Sequence, residues 1–280
     1  MILIDYNGIA IANIVIEKLD IQEDLIRHMI LNSIRLHRKR FHSKYGEIVI
    51  CADGMNNWRY DAFPQYKANR KKTRRDSKID WSEVFRISNM VLEEIAENFP
   101  WKVIKIDEVE ADDIIAQVAM NTQEFGEYEE VMIISADKDF AQLQKFTNVH
   151  QYSPTQKKFI VEENPKKQKL ELILKGDQAD GVPNVLSNDN CMVEGIRQSP
   201  LRQKTIDKLM DDPKCMGEEV YRNFLRNKKL IDLEELPGSL KERIINNFKD
   251  QDPWKNKGKV FPYLVSKRCR NLIDEIGDFI

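Results

Sequence analysis

Four short apolar runs recur in the first half of the chain, and an acidic residue directly follows each one. The runs cover residues 2–4, 48–52, 103–106 and 131–136, and the acidic residues are Asp5, Asp53, Asp107 and Asp137. The runs are rich in β-branched residues and lack polar alternation, which is typical of strands buried on both faces. We therefore predict four buried strands that each end at a carboxylate.

Segments with apolar residues at helical spacing separate these runs. Asp20 with Glu23, and Asp80 with Glu83, have the spacing of a capping box at a helix start. Strands that alternate with helices predict an α/β fold with a mostly parallel central sheet and flanking helices. In such sheets the functional site lies at the carboxyl ends of the strands, where the acidic residues stand here.

The strand pattern fades after about Ser153. From Lys166 onward, the sequence predicts helices that prolines interrupt, at Pro183, Pro200, Pro213, Pro237 and Pro253. We therefore expect an α/β domain at residues 1–165 and a smaller helical region at residues 166–280.

Composition narrows the class of protein. Of the 280 residues, 41% are hydrophobic and 32% are charged, as in globular proteins, and the net charge is −2. Nucleic-acid binding must therefore depend on where the charges lie. Four dispersed cysteines without a CxxC pair disfavour structural zinc and a disulfide framework, so we expect reduced thiols and a cytoplasmic location. Neither a leader peptide nor a membrane-spanning segment is expected.

Nine carboxylates form the main candidate site, and several have suggestive spacing. They are Asp5, Asp53, Glu110, Asp112, Asp113, Asp137, Asp139, Asp177 and Asp180. Glu110 with Asp113, and Asp177 with Asp180, are three residues apart, which places each pair on one face of a helix. Asp137 and Asp139 are two apart, so an extended segment points both to the same side.

Converging carboxylates raise one another's pKa unless a cation neutralises them. A set of carboxylate ligands favours Mg²⁺ or Mn²⁺ over zinc. Two such ions, about 3.5–4 Å apart, can activate a water and stabilise the leaving oxygen of a phosphodiester. Each Asp taken singly is also explained as a helix cap or turn former, and Asp107 with Glu110 has capping-box spacing. The repetition after successive strands favours the metal site.

A basic segment with interleaved aromatic residues follows Asp53. Seven basic residues and one acidic residue lie between positions 67 and 78, and Trp58, Tyr60, Phe63 and Tyr66 precede them. Cations that pair with phosphates beside rings that stack on bases are typical of single-strand binding surfaces. A charge run of this kind is also typical of a solvated loop.

Five motifs in order resemble the 5′ nuclease family, which includes phage flap endonucleases and the 5′-exonuclease domain of bacterial DNA polymerase I. Arg59, Pro64 and the string YKANR resemble the arch of that family, here at about residues 56–80. The strings EADD, SADKD and KGDQAD resemble its remaining acidic motifs. The similarity covers nearly the whole chain. It implies a PIN-like α/β domain followed by a helical region with a modified helix-hairpin-helix, because KGDQADGVPNV lacks the compact GxG hairpin.

The resemblance also implies roles for the matched residues. One metal region comprises Asp53, Glu110, Asp112 and Asp113, and the other comprises Asp139, Asp177 and Asp180, with Asp5 and Asp137 near or between them. Lys67 and Arg70 hold or polarise the scissile phosphate, Asp112 is a catalytic metal ligand, and Tyr66 stacks on the substrate. Further candidates for nucleic-acid contact are Arg59, Lys71, Lys72, Arg74, Arg75, Arg197, Arg202 and Lys204.

The expected function is removal of RNA primers and 5′ DNA ends, with cleavage of 5′ flaps, during DNA replication. The expected cofactor is two Mg²⁺ ions, and Mn²⁺ is expected to substitute for them. Expected partners are duplex DNA or RNA–DNA hybrid, a single-strand-binding protein and a sliding clamp, and the protein is expected to be a monomer, in the host cytoplasm if phage-encoded. Two other classes stay open: another acidic-site magnesium enzyme, such as a PIN-type ribonuclease or a phosphatase with Asp5 as nucleophile, and a non-catalytic structure-specific DNA-binding protein.

Overall fold

Six strands form a single sheet in the computed structural model, which describes residues 1–16, 22–77, 79–124 and 128–280. The strands are β1 (Ile2–Asp5), β2 (Ile48–Ala52), β3 (Lys102–Lys105), β4 (Val131–Ile134), β5 (Val149–Ser153) and β6 (Lys158–Ile160). Their order in the sheet is β3-β2-β1-β4-β5-β6. Neighbouring strands are parallel except β6, which is antiparallel to β5. The predicted mostly parallel sheet is therefore confirmed.

Helices connect the strands and continue after the sheet. In the first part of the chain they are α1 (Tyr6–Ile16), α2 (Glu23–Tyr45), α3 (Arg59–Ala62), α4 (Ala68–Arg75), α5 (Trp81–Asn98) and α6 (Ala111–Asn121). After the sheet come α7 (Pro165–Lys175), α8 (Gln203–Asp211), α9 (Glu218–Ile231), α10 (Gly238–Asp250), α11 (Val260–Ser266) and α12 (Arg270–Ile273). Short 3₁₀ helices cover Lys138–Lys145, Leu233–Glu235, Pro253–Lys259 and Ile276–Phe279. No described helix is long and apolar enough to cross a membrane.

Helix starts agree only in part with the predicted caps. The Asp80 side chain accepts hydrogen bonds from the backbone of Ser82 and Glu83 and so caps α5. Asp20 lies outside the described residues, and α2 begins at Glu23 without a side-chain cap. For α6 the cap is Glu110 rather than the predicted Asp107.

Both faces of the sheet are buried at β1, β2 and β4, which explains their continuous apolar runs. The prediction of a fully buried strand is wrong for β3, which lies at the edge of the sheet and is buried only at Ile104. Along β1, Ile2 and Ile4 pack into one apolar layer, and Leu3 packs into the layer on the opposite face. The first layer includes residues of α2 and α5, and the second includes residues of α6 and α10. The sequence pattern does not predict β5, because the polar residues His150 and Gln151 interrupt its apolar positions.

The helices after residue 165 pack against two different parts of the molecule. Leu240 and Ile244 of α10 pack against one face of the sheet, and Leu264 and Phe279 pack against the other. Helices α7, α8 and α9 instead form a third apolar cluster, which Phe63 and Tyr66 join. The last part of the chain therefore completes the layers of the α/β domain, and α7 to α9 pack beside the segment predicted to be the arch.

Candidate active site

Parallel strands bring the first carboxylates together at one edge of the sheet. Asp5 ends β1, where its carboxylate accepts hydrogen bonds from Gly8 N and Ser135 Oγ, both at 2.9 Å. Asp53 follows β2, the neighbour of β1, and accepts from Asn7 Nδ2 and Ala111 N, also at 2.9 Å. The strand ends thus converge as the sequence predicts.

The turn after Asp53 has room only for glycine. A Cβ built on Gly54 would lie 1.9 Å from the carbonyl oxygen of Ile106. Gly54 N also donates to Val109 O at 2.9 Å. This close approach holds the backbone before α6 against the end of β2, and so brings the carboxylates of α6 to the same edge.

The first turn of α6 carries three carboxylates with different surroundings. Glu110 and Asp113 form a reciprocal capping box, in which Asp113 Oδ2 accepts from Glu110 N at 3.1 Å. Asp112 instead lines a narrow cavity together with Asp139, Asp177 and Asp180. Helical periodicity therefore separates Asp112, which faces the cavity, from Asp113, which faces the interior.

The two remaining acidic motifs form turns, not the extended segment and helix that their spacing predicts. Asp137 caps the 3₁₀ helix Lys138–Lys145, and its Oδ1 accepts from Asp139 N at 2.9 Å. Asp177 Oδ1 accepts from Ala179 N at 2.7 Å and from Asp180 N at 3.2 Å. In both places a carboxylate bonds its own backbone a few residues on, which closes a tight loop.

Two cations at the base of the predicted arch contact this edge. Lys67 Nζ lies 2.5 Å from Glu110 Oε1 and 3.7 Å from Asp180 Oδ2. Arg70 Nη2 lies 2.5 Å from Asp180 Oδ1. The backbone is tied as well, because Lys67 N donates to Asp180 O at 2.7 Å. The residues predicted to hold the scissile phosphate are thus brought to the carboxylates.

Three predicted residues are placed differently from expectation. Arg59, predicted to contact nucleic acid, is 3% exposed and binds Asp113 through two nitrogens, each 2.8 Å from a carboxylate oxygen. The carboxylate of Asp113, predicted as a metal ligand, is therefore bound to Arg59 in the interior of the protein. Tyr66, predicted to stack on the substrate, is 4% exposed, and its hydroxyl lies 2.9 Å from Glu110 Oε2. Motif matching assigned these residues to the surface because it carries no information on burial.

The structure describes four of the other predicted nucleic-acid contacts, at Arg74, Arg197, Arg202 and Lys204. Arg74 on α4 packs over the rings of Phe85 and Trp81, at 4.9 and 5.7 Å from their centroids. Arg197, Arg202 and Lys204 are exposed on the segment before α8 and in its first turn. The side chains of Lys71, Lys72 and Arg75 lie outside the part of the chain that the structure describes.

Sequence reasoning missed three residues that contact the site. Asn7 and Ser135 bond Asp53 and Asp5, and Lys138 Nζ lies 2.8 Å from Asp177 Oδ2. Lys138 stands between two predicted ligands in SADKD, and Asn7 is two residues after Asp5. Proximity to predicted ligands is the signal that could have found them.

The surroundings of the carboxylates divide them into two groups. In the strand-side group (Asp5, Asp53, Asp112, Asp137 and Asp139), burial raises the pKa of every member, and neighbouring carboxylates add to the rise. The pKa of Asp5 rises to about 6 and that of Asp139 to about 7. These groups lack enough positive charge nearby to stay ionised at their ordinary pKa.

The arch-side group (Glu110, Asp177 and Asp180) meets the protein's own cations. Burial acts to raise the pKa of Glu110, but Lys67 and Arg59 outweigh it and the pKa falls. At Asp177, burial again acts to raise the pKa, but Lys138 outweighs it and the pKa falls. The acidic edge is therefore neutralised by side chains on one side only.

The donor set suits a hard divalent cation. Every candidate ligand offers carboxylate oxygens, and Asp139 Oδ1 is buried without a hydrogen-bond partner. Within the described residues, no three His, Cys, Asp or Glu side chains are already placed as a metal site. Two of the candidate ligands, Glu110 and Asp180, instead bind Lys67 and Arg70.

Two family models match the chain. Residues 15–171 match the 5′-3′ exonuclease N-terminal resolvase-like domain, and residues 164–279 match the C-terminal region of T4 RNase H. The chain belongs to the 5′-3′ exonuclease family and is a nuclease, a hydrolase of phosphodiester bonds.

Two known proteins are similar to this chain in sequence. Ribonuclease H of Enterobacteria phage T4 is 34% identical over 221 residues, which cover 75% of this chain and 72% of the relative. A 5′-3′ exonuclease of Buchnera aphidicola subsp. Schizaphis graminum (strain Sg) is 31% identical over 156 residues, covering 52% of this chain and 50% of the relative.

Solved structures share the fold. A T5 5′-exonuclease with bound zinc ions is 15% identical with a TM-score of 0.64, over 89% of this chain and 98% of the other. A T5 flap endonuclease in a pseudo-enzyme–product complex with DNA and metal ions is 16% identical with a TM-score of 0.61, over 94% and 98%. At these identities the likeness confirms the predicted fold, and both neighbours were crystallised with metal ions.

Proposed function

We propose that the chain is a magnesium-dependent 5′ nuclease that cuts phosphodiesters at 5′ ends of RNA or DNA in duplexes, including primers and 5′ flaps during DNA replication. The observation that carries the proposal is the convergence of carboxylates on one narrow cavity, which is lined by Asp112, Asp139, Asp177 and Asp180. Lys67 and Arg70 bind Glu110 and Asp180 at the same edge of the sheet. Family membership supplies the reaction class.

Two Mg²⁺ ions, for which Mn²⁺ substitutes, would supply the charge that activates a water and stabilises the leaving oxygen. One metal region would be held by Asp53, Glu110 and Asp112. The other would be held by Asp139, Asp177 and Asp180, with Asp5 and Asp137 between them. Asp113 is left out of this set because its carboxylate is bound to Arg59.

The protein's own residues position the substrate. Lys67 and Arg70 lie at the mouth of the acidic edge, where they would bind the scissile phosphate and stabilise the negative charge that develops during attack. Arg197, Arg202 and Lys204 would contact duplex phosphates, which set position rather than sequence. The substrate is thus held between the arch base and the helical segment around α8.

Partners follow from the replication setting. Duplex DNA or RNA–DNA hybrid with a 5′ end or flap is the proposed substrate. A single-strand-binding protein and a sliding clamp are proposed as protein partners, and the nuclease is proposed to act as a monomer. Sedimentation of the chain alone and with each purified factor tests the last two statements, because each complex changes the sedimenting mass.

A cleavage assay tests the activity. The full chain is incubated with labelled primer–template, nicked and 5′-flap duplexes, with and without Mg²⁺, and the products are mapped. We expect products released from the 5′ end only when Mg²⁺ is present. Cleavage of internal single-stranded RNA without need for a 5′ end would favour a PIN-type ribonuclease. Binding without cleavage would favour a non-catalytic DNA-binding protein.

A further inference from the structure

Gln151 on β5 is a buried amide side chain that no step of the proposed reaction uses. It is 1% exposed, and its backbone lies opposite Ile133 where β5 pairs with β4. Burial of an amide costs free energy unless its donors and its acceptor are hydrogen-bonded. The bonds of Gln151 therefore indicate what the side chain does.

Those bonds end on the loop that carries the acidic motif SADKD. Gln151 Nε2 donates to Asp137 O at 2.6 Å and to Ser135 O at 3.1 Å. The chain leaves the sheet at this point, since β4 ends at Ile134. The Gln151 amide thus replaces the sheet ladder for two carbonyl groups and fixes the peptides between residues 135 and 136 and between residues 137 and 138.

Gln144 secures the other end of the Gln151 amide. Its Nε2 lies 3.4 Å from Gln151 Oε1 and donates to Ile160 O of β6 at 3.1 Å. Its Oε1 accepts from Glu162 N at 2.8 Å. Two glutamines therefore connect the edge strand β6 to the loop at residues 135–139.

Fixing this loop fixes three carboxylates. Ser135 Oγ donates to Asp5 Oδ2 at 2.9 Å and accepts from Asp137 N at 3.1 Å. Asp137 in turn accepts from Asp139 N, and Asp139 Oδ1 has no hydrogen-bond partner among the described residues. A shift of the loop backbone would move all of these oxygens together.

We propose that Gln151 is a positioning residue that holds the loop at residues 135–139, so that Asp5, Asp137 and Asp139 present their oxygens to a divalent metal in a preformed arrangement. The proposal rests on the proposed metal role of these carboxylates. Residues that orient metal ligands typically contribute about 10–100-fold in metal affinity or activity. Gln151→Met keeps the side-chain length and removes its three hydrogen bonds, and we expect it to weaken metal binding within that range.

A matched control exists in the same structure. Gln142 is also buried, at 5% exposed, and its amide bonds the backbone on both sides, to Ile231 O at 3.0 Å and from Leu233 N at 3.4 Å. Those bonds tie the 3₁₀ helix Lys138–Lys145 to the end of α9 and not to the loop at residues 135–139. Gln142→Met should therefore cost comparable stability and leave metal affinity unchanged.

The experiment is calorimetric titration of Mn²⁺ into the substrate-free full chain. It compares the wild type with Gln151→Met, Gln142→Met and Asp139→Asn. We expect weaker binding for Gln151→Met and Asp139→Asn only. Wild-type affinity in Gln151→Met overturns the positioning role. Unchanged affinity in Asp139→Asn would instead overturn the proposed metal site, so the two failures are distinguishable.

Folding is checked by thermal unfolding of each variant. If Gln151→Met does not fold, Gln144→Met removes one of the three bonds and should still bind Mn²⁺ more weakly than Gln142→Met does. Equal affinities in those two variants would overturn the proposal. A second readout is the Mg²⁺ concentration for half-maximal cleavage, which should rise in Gln151→Met while 5′-flap binding in Ca²⁺ stays the same.

Discussion

The strand-side and arch-side groups of carboxylates lie at the same edge of the sheet but have different neighbours. The arch-side group contacts cations, whereas the strand-side group lies among other carboxylates. On the arch side, Lys67 and Lys138 lie within 2.8 Å of Glu110 and Asp177, and the pKa of both carboxylates falls despite burial. On the strand side, Asp112 and its neighbours are buried among other carboxylates, and their pKa values rise.

This difference indicates where the site requires positive charge from a bound ion. Burying like charges together is unfavourable unless a cation neutralises them. On the arch side, Lys67 supplies that cation to Glu110 and Lys138 supplies it to Asp177. On the strand side, Lys67 also lowers the pKa of Asp112, but burial and the neighbouring carboxylates outweigh it, so a divalent metal would act there most strongly.

The largest expected effect comes from removing a strand-side ligand. Asp112→Asn should nearly abolish cleavage, because a metal ligand is lost, and should leave 5′-flap binding in Ca²⁺ measurable, because the basic surfaces remain. Asp274→Asn, at an exposed position directly after α12, is the control and should cleave normally. A wild-type rate in Asp112→Asn would remove this residue from the metal site.

Removing an arch-side cation should have the next largest effect. Lys67→Ala should lower the single-turnover cleavage rate about 100–1,000-fold, as loss of one transition-state electrostatic donor typically does. Binding of the same 5′-flap duplex in Ca²⁺ should weaken much less. Lys67→Arg keeps the charge but changes its shape, and we expect partial rescue. Weaker binding with a normal bound rate would make Lys67 a general phosphate contact.

The basic residues that follow Arg70 should affect binding rather than chemistry. Replacing Lys71, Lys72, Arg74 and Arg75 with Ala should flatten the salt dependence of binding, because each lost phosphate contact removes about 0.9 from the log–log slope on duplex or about 0.7 on single strands. Replacing Lys255, Lys257 and Lys259 with Ala removes charge from a segment far along the chain and serves as the control. Equal slopes in both variants would show the basic segment to be a bystander.

The smallest effect concerns stability and pH. A carboxyl whose folded pKa is raised binds more protons in the folded state, so its contribution is complete below the unfolded pKa and is lost as pH rises through the folded pKa. For Asp139 that window runs from about 4, the unfolded value, to about 7. Asp139→Asn should therefore raise Tm in EDTA at pH 8 and have little effect at pH 4. A change of about 1 kcal/mol in the free energy of unfolding corresponds to a shift of roughly 2–4 °C in Tm for a chain of this size.

The test is a set of thermal unfolding curves between pH 4 and pH 8, with and without Mg²⁺. The Mg²⁺ ion should stabilise the wild type at pH 8 more than it stabilises Asp139→Asn, because binding to the folded state adds stability. Glu234 is a useful contrast, since its pKa is lowered to about 2 by Lys169 and Lys145 despite partial burial, so its contribution is lost as pH falls instead. If Tm changed with pH equally in the wild type and in Asp139→Asn, the result would contradict the inferred excess of negative charge around Asp139.

The sequence predicts the sheet and its acidic edge well, because both depend on periodic patterns. Apolar runs identify β1 to β4, and their ends place Asp5, Asp53 and Asp137 at one edge. Burial of polar residues follows no such pattern. Arg59 and Tyr66 match a surface motif yet lie in the interior, since each finds a buried carboxylate that only the tertiary fold brings within reach. The strand β5 was missed for the same reason, because Gln151 is buried through hydrogen bonds.

The contact between Gly54 and the Ile106 carbonyl oxygen has a consequence for saturation mutagenesis. A Cβ at that position would have to displace backbone, so every substitution should be depleted under selection, as at a metal ligand. A map of tolerated substitutions alone would therefore rank Gly54 with Asp53 and Asp112 as intolerant to substitution. Metal titration of purified variants separates the two causes, because a backbone clash lowers the yield of folded protein whereas ligand loss lowers the affinity of protein that has folded.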